Sequence, residues 1–309
     1  MIKKAGITGI IAVFLLLVYY TVYGFEENQM PGQIYNCPSP NELKHGLPEY
    51  KARRLALNAK AALVIDNSTG HWIYAKRAQS KRPIASLTKL LTAMVYLDTD
   101  PDLDTVVYIS SRDCYESAKS HIYKGEGYKA IDLLYAALMS SDNRAARAIA
   151  TASGIARLDF IEKMNEKARS LGMMNTEIFE VTGLDERNIS TAADIAILVR
   201  ESMKYYHIKR ATSKYKCKVK VQNKKRIKNF VNTNRLVLSR YDILAGKTGF
   251  IIESDYCLGT IMQDKQGREL TLVVLGSPTN SIRFQVADKL ARYCFKRAGR
   301  VENGEIAGR

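Results

Sequence analysis

Three short motifs in a fixed order constrain this chain more than any other feature. They read Ser-Leu-Thr-Lys at 86–89, Ser-Asp-Asn at 141–143 and Lys-Thr-Gly at 247–249. Together they supply a potential nucleophile, polar groups that can relay a proton, and a cation that can bind an anion. A fold that uses all three must bring a helix, a loop and a strand around one cleft.

The first motif pairs a hydroxyl with an amine. A serine hydroxyl needs a base within hydrogen-bond reach, and residues three apart on a helix share a face, so Lys89 should lie one turn from Ser86. Lysine acts as a base only if its pKa falls well below about 10.4, through burial or a nearby cation. Lys247 is the cation expected to lower it. Backbone N–H groups of the helix's first turn should favour an oxyanion at Ser86.

The second and third motifs complete the expected cleft. Ser141 is expected to relay a proton to the leaving group, and Asn143 to hold a substrate amide or the catalytic lysine. Taken alone, this motif fits a helix N-cap equally well. Lys247 and Thr248 can bind a carboxylate, and Gly249 lets a substrate backbone approach closely.

A second Ser-x-x-Lys pattern occurs at Ser213 and Lys216. It falls in a segment where lysines alternate with apolar residues, which predicts a strand. Residues three apart on a strand face opposite ways, so this pair should not meet.

Apolar periodicity predicts strands near both ends of the folded region and helices between them. This order predicts an α+β fold in which both chain ends form one antiparallel sheet, flanked by helices and with a helical lobe inserted. The predicted strands are 61–66, 71–75, 246–252, 256–262 and 270–275; the predicted helices follow Pro83 and cover 128–139, 144–152, 157–171, 191–205 and 281–296.

The N-terminus reads as an export segment. Lys3 and Lys4 precede an uncharged, largely apolar run at 5–24, which fits a cleaved signal and a retained transmembrane anchor equally well. The proline-containing stretch at 25–58 is a predicted spacer, 59–298 a predicted catalytic domain and 299–309 a tail. The protein is therefore expected at the extracytoplasmic face of the membrane, or in the periplasm or cell wall.

The net charge of +16 is concentrated in one region. Residues 202–241 contain no Asp or Glu, and Lys214, Lys216, Lys218 and Lys220 line one face of a predicted hairpin. An exported protein meets no nucleic acid, so the candidate partners of the basic hairpin from Lys214 to Lys228 are anionic lipid or wall polymer. A solvated basic face without a partner is the alternative.

Neither a metal nor an organic cofactor is expected. The five cysteines are scattered and odd in number, and the four histidines show no paired spacing.

With these motifs the chain resembles the low-molecular-mass penicillin-binding proteins, the D-alanyl-D-alanine carboxypeptidase family of serine peptidases. The resemblance implies a β-lactamase/penicillin-binding-protein-like fold and a substrate peptide of peptidoglycan ending in D-Ala-D-Ala. It also implies covalent inhibition by β-lactam antibiotics. Further segments that carry the likeness are Ala-Ala-Leu-Val-Ile-Asp at 61–66, the residues around the first two motifs at 82–94 and 132–143, Gly183-Leu184, Ser190-Thr191-Ala192 with Asp194, and Asn-Thr-Asn-Arg-Leu at 232–236.

The resemblance also implies roles for single residues. Ser86 is then the acylated nucleophile, Lys89 its base, and Ser141 with Asn143 the second catalytic element. Lys247 is the electrostatic anchor of the site. The implied oxyanion hole consists of the backbone N–H groups of Ser86 and Phe250.

Departures from the common pattern leave alternatives open. Asp142, where Gly is common, and Ile251, where Thr is common, look more like the branch of D-alanyl endopeptidases that cleave peptidoglycan cross-links. A class A β-lactamase would need a glutamate that activates water, and Glu177 and Glu180 lie in the right interval. A wall-binding protein that has lost catalysis is the non-enzyme alternative.

Overall fold

The computed structural model describes residues 55–115 and 120–302. The predicted signal or anchor at 1–24, most of the spacer at 25–58 and most of the tail at 299–309 lie outside these residues. Within the described part, no helix is both long and apolar enough to cross a membrane. Leu55 and Leu57, at the end of the predicted spacer, already pack against one of the two hydrophobic cores.

A five-stranded antiparallel sheet forms the centre of the structure, as the sequence predicts. Strand β1 (Ala61–Asp66) pairs with β11 (Glu269–Ser277), so residues from the two ends of the described chain lie side by side. The strand order is β2-β1-β11-β10-β9, with β1 at Ala61–Asp66, β2 at Trp72–Lys76, β9 at Asp242–Ile251, β10 at Asp255–Gln263 and β11 at Glu269–Ser277.

Alternation along β1 divides the interior into two cores, because successive side chains of a strand point to opposite faces. Leu63 and Ile65 face the core of the helical lobe. Ala62 and Val64 face a second core, which the C-terminal helix covers with Val286 and other apolar residues. Both sheet faces are therefore buried, which explains why β1 is apolar at five consecutive positions.

Seven α-helices are present in the described chain, and all six predicted helices are among them. The helix after Pro83 begins with a 3₁₀ turn, Ala85–Leu87, before the α-helix itself starts at Thr88. The helices are α1 at Thr88–Leu97, α2 at Ala130–Met139, α3 at Asn143–Ala152, α4 at Arg157–Ser170, α5 at Ala192–Ser202, α6 at Tyr206–Ser213 and α7 at Asn280–Glu302.

Helix α6 and four short strands were not predicted. The apolar face of α6 consists of Ile208 and Ala211 among cationic neighbours, which is too short a pattern to recognise. Ser213 ends α6 while Lys216 begins the next strand, so the second Ser-x-x-Lys pair spans two elements rather than one strand. The short strands pair in two ribbons: β3 at Arg82–Pro83 with β6 at Ile189–Ser190, and β4 at Val106–Tyr108 with β5 at Gly127–Lys129.

The basic hairpin forms as predicted from β7, Lys216–Val221, and β8, Arg226–Val231. Lys216, Lys218 and Lys220 are exposed on one face. Lys228 departs from this pattern because it is buried: its ammonium bonds to the Glu126 carboxylate and lies 4.5 Å from the centroid of the Tyr123 ring. One end of the predicted basic surface is thus a structural anchor of the hairpin.

The Glu126 carboxylate is fully buried beneath this hairpin. Burial alone would raise the pKa of Glu126, but hydrogen bonds from Lys228, Tyr128 and the Tyr123 amide bring it below its usual value. Lys224 and Arg226 add cations 3.7 Å from the other carboxylate oxygen. The hairpin is therefore attached to the lobe by charge as well as by its apolar face.

We expect Glu126→Gln to lower the free energy of unfolding by about 3 kcal/mol, because it leaves the buried Lys228 ammonium without a charged partner. Urea denaturation followed by circular dichroism measures the change. Glu162→Gln is the matched control: it removes an exposed ion pair with Arg169 and should cost about 0.5 kcal/mol or less. Equal effects of the two substitutions would contradict the anchoring role of Glu126.

Candidate functional site

Ser86 lies in the 3₁₀ turn that leads into α1. The sequence predicted the first turn of an α-helix here, whereas the α-helix itself begins at Thr88. The residue before the serine, Ala85, has a φ of 48°, a left-handed conformation that non-glycine residues adopt only where their surroundings hold them. The backbone at the candidate nucleophile is therefore held by contacts around it.

Two glycines allow the surrounding backbone to pack this closely against the turn. A Cβ on Gly183 would lie 1.9 Å from the Ala85 carbonyl oxygen. A Cβ on Gly249 would lie 2.8 Å from the Ile84 carbonyl oxygen and 3.1 Å from the Ser86 amide nitrogen. The missing side chain of Gly249 thus makes room for the turn of Ser86, not only for a substrate, which was the expectation from sequence.

Lys89 brings the first two motifs together. Its Nζ donates to Ser86 Oγ at 2.8 Å, to Asn143 Oδ1 at 2.7 Å and to the Thr182 carbonyl oxygen at 2.7 Å. An ammonium has three N–H donors, so the protonated side chain is fully satisfied by these three acceptors. Once a proton is lost, the nitrogen lone pair can be directed to the Ser86 hydroxyl.

The environment of Lys89 favours that loss. The side chain is 1% exposed, and burial lowers the pKa of Lys89 to about 7. The carboxylates of Glu180 and Asp142 act in the opposite direction, and the Arg147 guanidinium lowers the pKa further. The sequence singled out Lys247 as the cation that tunes Lys89, but burial is the main cause and Arg147 is the neighbouring cation that contributes.

The second motif follows the end of α2 and opens α3. Asp142 is the N-cap of α3, because its carboxylate accepts from the amides of Arg144 and Ala145. It also accepts from Ser120 Oγ at 2.7 Å. The capping role and the predicted site role therefore coexist: Asp142 fixes the helix start while its neighbours face the cleft.

Ser141 and Asn143 stand on either side of that cap. Ser141 has a φ of 61°, and its Oγ accepts from Lys247 Nζ at 2.9 Å. Asn143 is the first residue of α3 and holds Lys89, which is one of the two roles predicted for it. The motif thus contacts both lysines: Ser141 bonds to Lys247, and Asn143 bonds to Lys89.

Lys247 lies on β9, opposite the helix that carries Lys89. Burial lowers the pKa of Lys247 well below its usual value, and the charges of Lys89 and Arg283 lower it further. Its Nζ also donates to the Thr248 carbonyl oxygen at 2.8 Å. A substrate anion at this point would meet a cation that water scarcely reaches, which strengthens their attraction.

The rest of the third motif lines the same strand. Thr248 shares a hydrogen bond of 2.6 Å with Thr233 through their hydroxyls. Phe250, the residue after the motif, is half exposed and stacks on Tyr256 with ring centroids 4.2 Å apart. Because its side chain faces outward, Phe250 can contribute only its backbone groups on the side of the Ser86 turn.

Several contacts of the site were not identified from sequence, including those of Glu180, which the sequence suggested only as a glutamate that activates water. Thr182 supplies the third acceptor of Lys89, and Glu180 holds the loop that carries it: its carboxylate accepts from the Thr182 amide at 2.7 Å and the Leu184 amide at 2.8 Å. Arg283, from α7, donates to the Gly249 carbonyl oxygen at 3.0 Å. No local pattern marks these contacts, since each has a backbone amide or carbonyl group as one partner.

No metal site is built around these groups. Within residues 55–115 and 120–302, no cluster of three or more His, Cys, Asp or Glu side chains could hold a metal ion.

Comparison with known proteins gives relatives over most of the chain. The sequence profile of the family described as D-alanyl-D-alanine carboxypeptidase matches residues 49–279. A D-alanyl-D-alanine endopeptidase of Pseudomonas aeruginosa is 35% identical over 254 residues, which are 81% of this chain and 80% of that protein. A D-alanyl-D-alanine carboxypeptidase of Bacillus subtilis is 30% identical over 79% of this chain and 64% of its own length.

Solved structures show the same likeness in three dimensions. The crystal structure of a Streptomyces DD-transpeptidase superposes with a TM-score of 0.72 at 27% identity, covering 78% of this chain and 98% of that one. The expected fold of the penicillin-binding proteins is thereby confirmed, as is the expected family. The chain belongs to the D-alanyl-D-alanine carboxypeptidase family of peptidases.

Proposed function

We propose that this chain removes the terminal D-alanine from peptidoglycan stem peptides through an acyl-enzyme on Ser86. The observation that carries the proposal is the contact of 2.8 Å between Ser86 Oγ and the buried Nζ of Lys89. A nucleophile next to a base whose pKa is about 7 is matched to reaction at neutral pH. β-Lactam antibiotics would acylate the same serine.

The proposed reaction begins when neutral Lys89 takes the proton of Ser86 as Oγ attacks the carbonyl carbon of the scissile bond. The amides of Ser86 and Phe250 would stabilise the oxyanion. The proton taken up by Lys89 would return through the Ser141 hydroxyl to the departing amine as the C–N bond breaks. Water would then hydrolyse the ester, which releases the shortened peptide and restores the Ser86 hydroxyl. Asn143 keeps Lys89 in place throughout.

The terminal carboxylate of the substrate would bind on β9. Lys247 and the Thr248 hydroxyl present a cation and a donor side by side, which suits a carboxylate. The bound anion would offset the charge repulsion that lowers the pKa of Lys247 and so keep this lysine protonated during the reaction.

A second candidate is cleavage of D-alanyl cross-links. The relatives from Pseudomonas aeruginosa and Escherichia coli that carry the name endopeptidase are each 35% identical to this chain. Asp142, whose presence suggested this branch, acts here as a helix cap with its carboxylate engaged. Its influence on the choice of bond would then pass through the position of Ser141 and Asn143.

A β-lactamase is less well supported. Glu180 uses its carboxylate to hold the amides of its own loop, and Glu177 is exposed in a β-bridge to Ile189. Neither carboxylate forms a hydrogen bond with Ser86 or Lys89 in the described part of the chain.

We expect Ser86→Ala to abolish release of D-alanine from purified peptidoglycan, because Ser86 supplies the one hydroxyl that bonds to Lys89 Nζ among residues 55–115 and 120–302. Digestion of the treated peptidoglycan followed by mass analysis measures the products. Free D-alanine with unchanged cross-linked dimers identifies a carboxypeptidase, whereas falling dimers identify the endopeptidase.

Ser213→Ala is the matched control, since Ser213 also stands three residues before a lysine but lies at the end of α6. This variant should release D-alanine and bind labelled penicillin as the unaltered chain does. Undiminished covalent labelling of Ser86→Ala would refute Ser86 as the acylated residue.

Acylation should depend on pH through Lys89. Only the neutral amine accepts a proton, so the second-order rate constant for penicillin acylation should rise about tenfold per pH unit up to about 7 and level off above it. Intact-mass measurement of the acyl-enzyme at a series of pH values gives this constant. Lys89→Arg, which stays charged, should be inactive throughout; a midpoint near 10 in the unaltered chain would contradict a lowered pKa.

The proposed location of the protein is the extracytoplasmic side of the membrane. Residues 1–24 would hold it there. The charged start and apolar run of this segment support the proposal. The exposed face of Lys216, Lys218 and Lys220 would add an electrostatic contact with anionic lipid or wall polymer.

Washing cell envelopes separates these two contributions. A retained anchor predicts that the protein stays bound in 1 M salt, because salt screens charges within about 3 Å but leaves apolar insertion intact, and that detergent releases it. Release by salt would instead assign the attachment to the lysines, and Lys→Gln at all three positions should then abolish it. N-terminal sequencing of the mature protein shows whether residues 1–24 remain.

A further inference from the structure

The carboxylate of Glu180 organises the loop that runs past the candidate nucleophile and its base. It accepts from the amides of Thr182 and Leu184 at 2.7 and 2.8 Å, and also from the amide of Gly183. The Thr182 hydroxyl donates to the same carboxylate at 2.8 Å. Four donors of one short loop therefore converge on a single side chain, and such charge-assisted bonds leave the backbone at 182–184 little freedom.

The loop fixed in this way touches the catalytic pair at two successive residues. The Thr182 carbonyl oxygen accepts from Lys89 Nζ at 2.7 Å. Gly183 has a φ of 84°, and a Cβ on it would lie 1.9 Å from the Ala85 carbonyl oxygen and 2.8 Å from the Ser86 amide nitrogen. The order that this carboxylate imposes on the loop therefore bears on the base and on the turn of the nucleophile together.

Asn188 attaches the start of the same loop to the helix that carries the base. Its buried side chain accepts from the amides of Phe179 and Glu180 at 2.7 and 3.1 Å, and donates to the Thr88 hydroxyl at 3.2 Å. Its own carbonyl oxygen accepts from the Ile84 amide at 3.0 Å. The backbone on either side of the 3₁₀ turn is thus attached to the start of the loop, and the Glu180 carboxylate extends this attachment as far as residue 184.

Glu180 also acts on Lys89 through its charge. Burial lowers the pKa of Lys89 to about 7, against the carboxylates of Glu180 and Asp142, which act to raise it. The Arg147 guanidinium lowers this pKa further, and the Lys247 ammonium faces Lys89 from β9. Of the two opposing carboxylates, Glu180 has the larger effect. Loss of its charge should therefore lower the pKa of Lys89.

We infer that Glu180 is a positioning residue for acylation, which holds the Thr182 carbonyl on the base and Gly183 against the turn of the nucleophile. The inference rests on the proposed function, since it takes Ser86 as the nucleophile and Lys89 as its base. Glu180 itself transfers no proton in this scheme, because its carboxylate is occupied by the donors of its own loop. It thus differs in role from the water-activating glutamate of a class A β-lactamase.

Two substitutions separate the geometry of Glu180 from its charge. Glu180→Gln removes the charge and directs an N–H donor at backbone amides that need an acceptor. Glu180→Asp keeps the charge but is one methylene shorter, so it cannot reach all four donors. We expect the second-order rate constant for penicillin acylation above pH 8 to fall about 100-fold in Glu180→Gln and about tenfold in Glu180→Asp, because small displacements of catalytic groups are costly.

The pH dependence of the same rate constant distinguishes a role in the site from a role in folding. Its midpoint, about 7 in the unaltered chain, should fall by about one pH unit in Glu180→Gln, since a carboxylate that raises the pKa of Lys89 is lost. In Glu180→Asp the midpoint should move by less than half as much. A substitution that only destabilised the fold would reduce the amount of active protein and leave the midpoint in place. Intact-mass measurement of the acyl-enzyme over time gives both quantities.

Glu177→Gln is the matched control, because Glu177 lies three residues before Glu180 in the same segment. Its side chain is exposed and forms no hydrogen bond or ion pair within residues 55–115 and 120–302. This variant should keep the rate constant and the midpoint of the unaltered chain. Circular dichroism checks the fold of each variant, and Glu180→Asp decides if Glu180→Gln fails to fold.

An unchanged rate constant in Glu180→Gln, or in Glu180→Asp where only that variant folds, would overturn the inference. A lowered rate constant with an unchanged midpoint in Glu180→Gln would overturn it as well. In both cases labelling of Ser86 in the unaltered chain leaves the proposed function standing. Absence of labelling in the unaltered chain would refute the proposed function and the inference with it.

Discussion

The burial of the Lys89 ammonium is the interaction on which the rest of the site depends. An amine in this position loses the stabilisation of water and must find acceptors within the protein. Ser86, Asn143 and the Thr182 carbonyl provide them, and each comes from a different part of the chain. The 3₁₀ turn, the start of α3 and the loop at Glu180 are therefore fixed relative to one another by one nitrogen. The same burial lowers the pKa of that nitrogen to about 7.

The sheet serves this arrangement by presenting Lys247 from the opposite side. Gly249 allows β9 to press against the turn at Ser86, and Arg283 holds the carbonyl oxygen of the same glycine from α7. The strand is thus fixed from both faces of the sheet. The separation of Lys89 and Lys247 is therefore fixed by backbone atoms packed against one another. Such packing leaves the strand and the turn little room to move.

Much of this was predictable from the amino-acid order. Alternating apolar positions predicted the central strands, and the three motifs predicted that Ser86, Lys89, Ser141, Asn143 and Lys247 meet. What local patterns could not predict is the source of the lowered Lys89 pKa, because burial is a property of the assembled core. Local patterns also could not predict the contacts of Glu180 and Arg283, whose partners are backbone atoms. Nor could they predict the burial of Lys228, because the lysines of the hairpin together predicted an exposed surface. Contacts that join distant segments through backbone groups leave no periodic signal in a sequence.

The pairing of β1 with β11 has a consequence for how the chain acquires its structure. Asn67, just after β1, accepts a hydrogen bond from the hydroxyl of Thr271 on β11, which lies 204 positions further along the sequence. Until β11 has left the ribosome, β1 has no partner on that side and both hydrophobic cores lack a wall. Contacts so distant in sequence form slowly, since the closure of a long loop precedes any gain from pairing. The central sheet therefore cannot be completed until β11 has been made, and peptidase activity should arise only after that point.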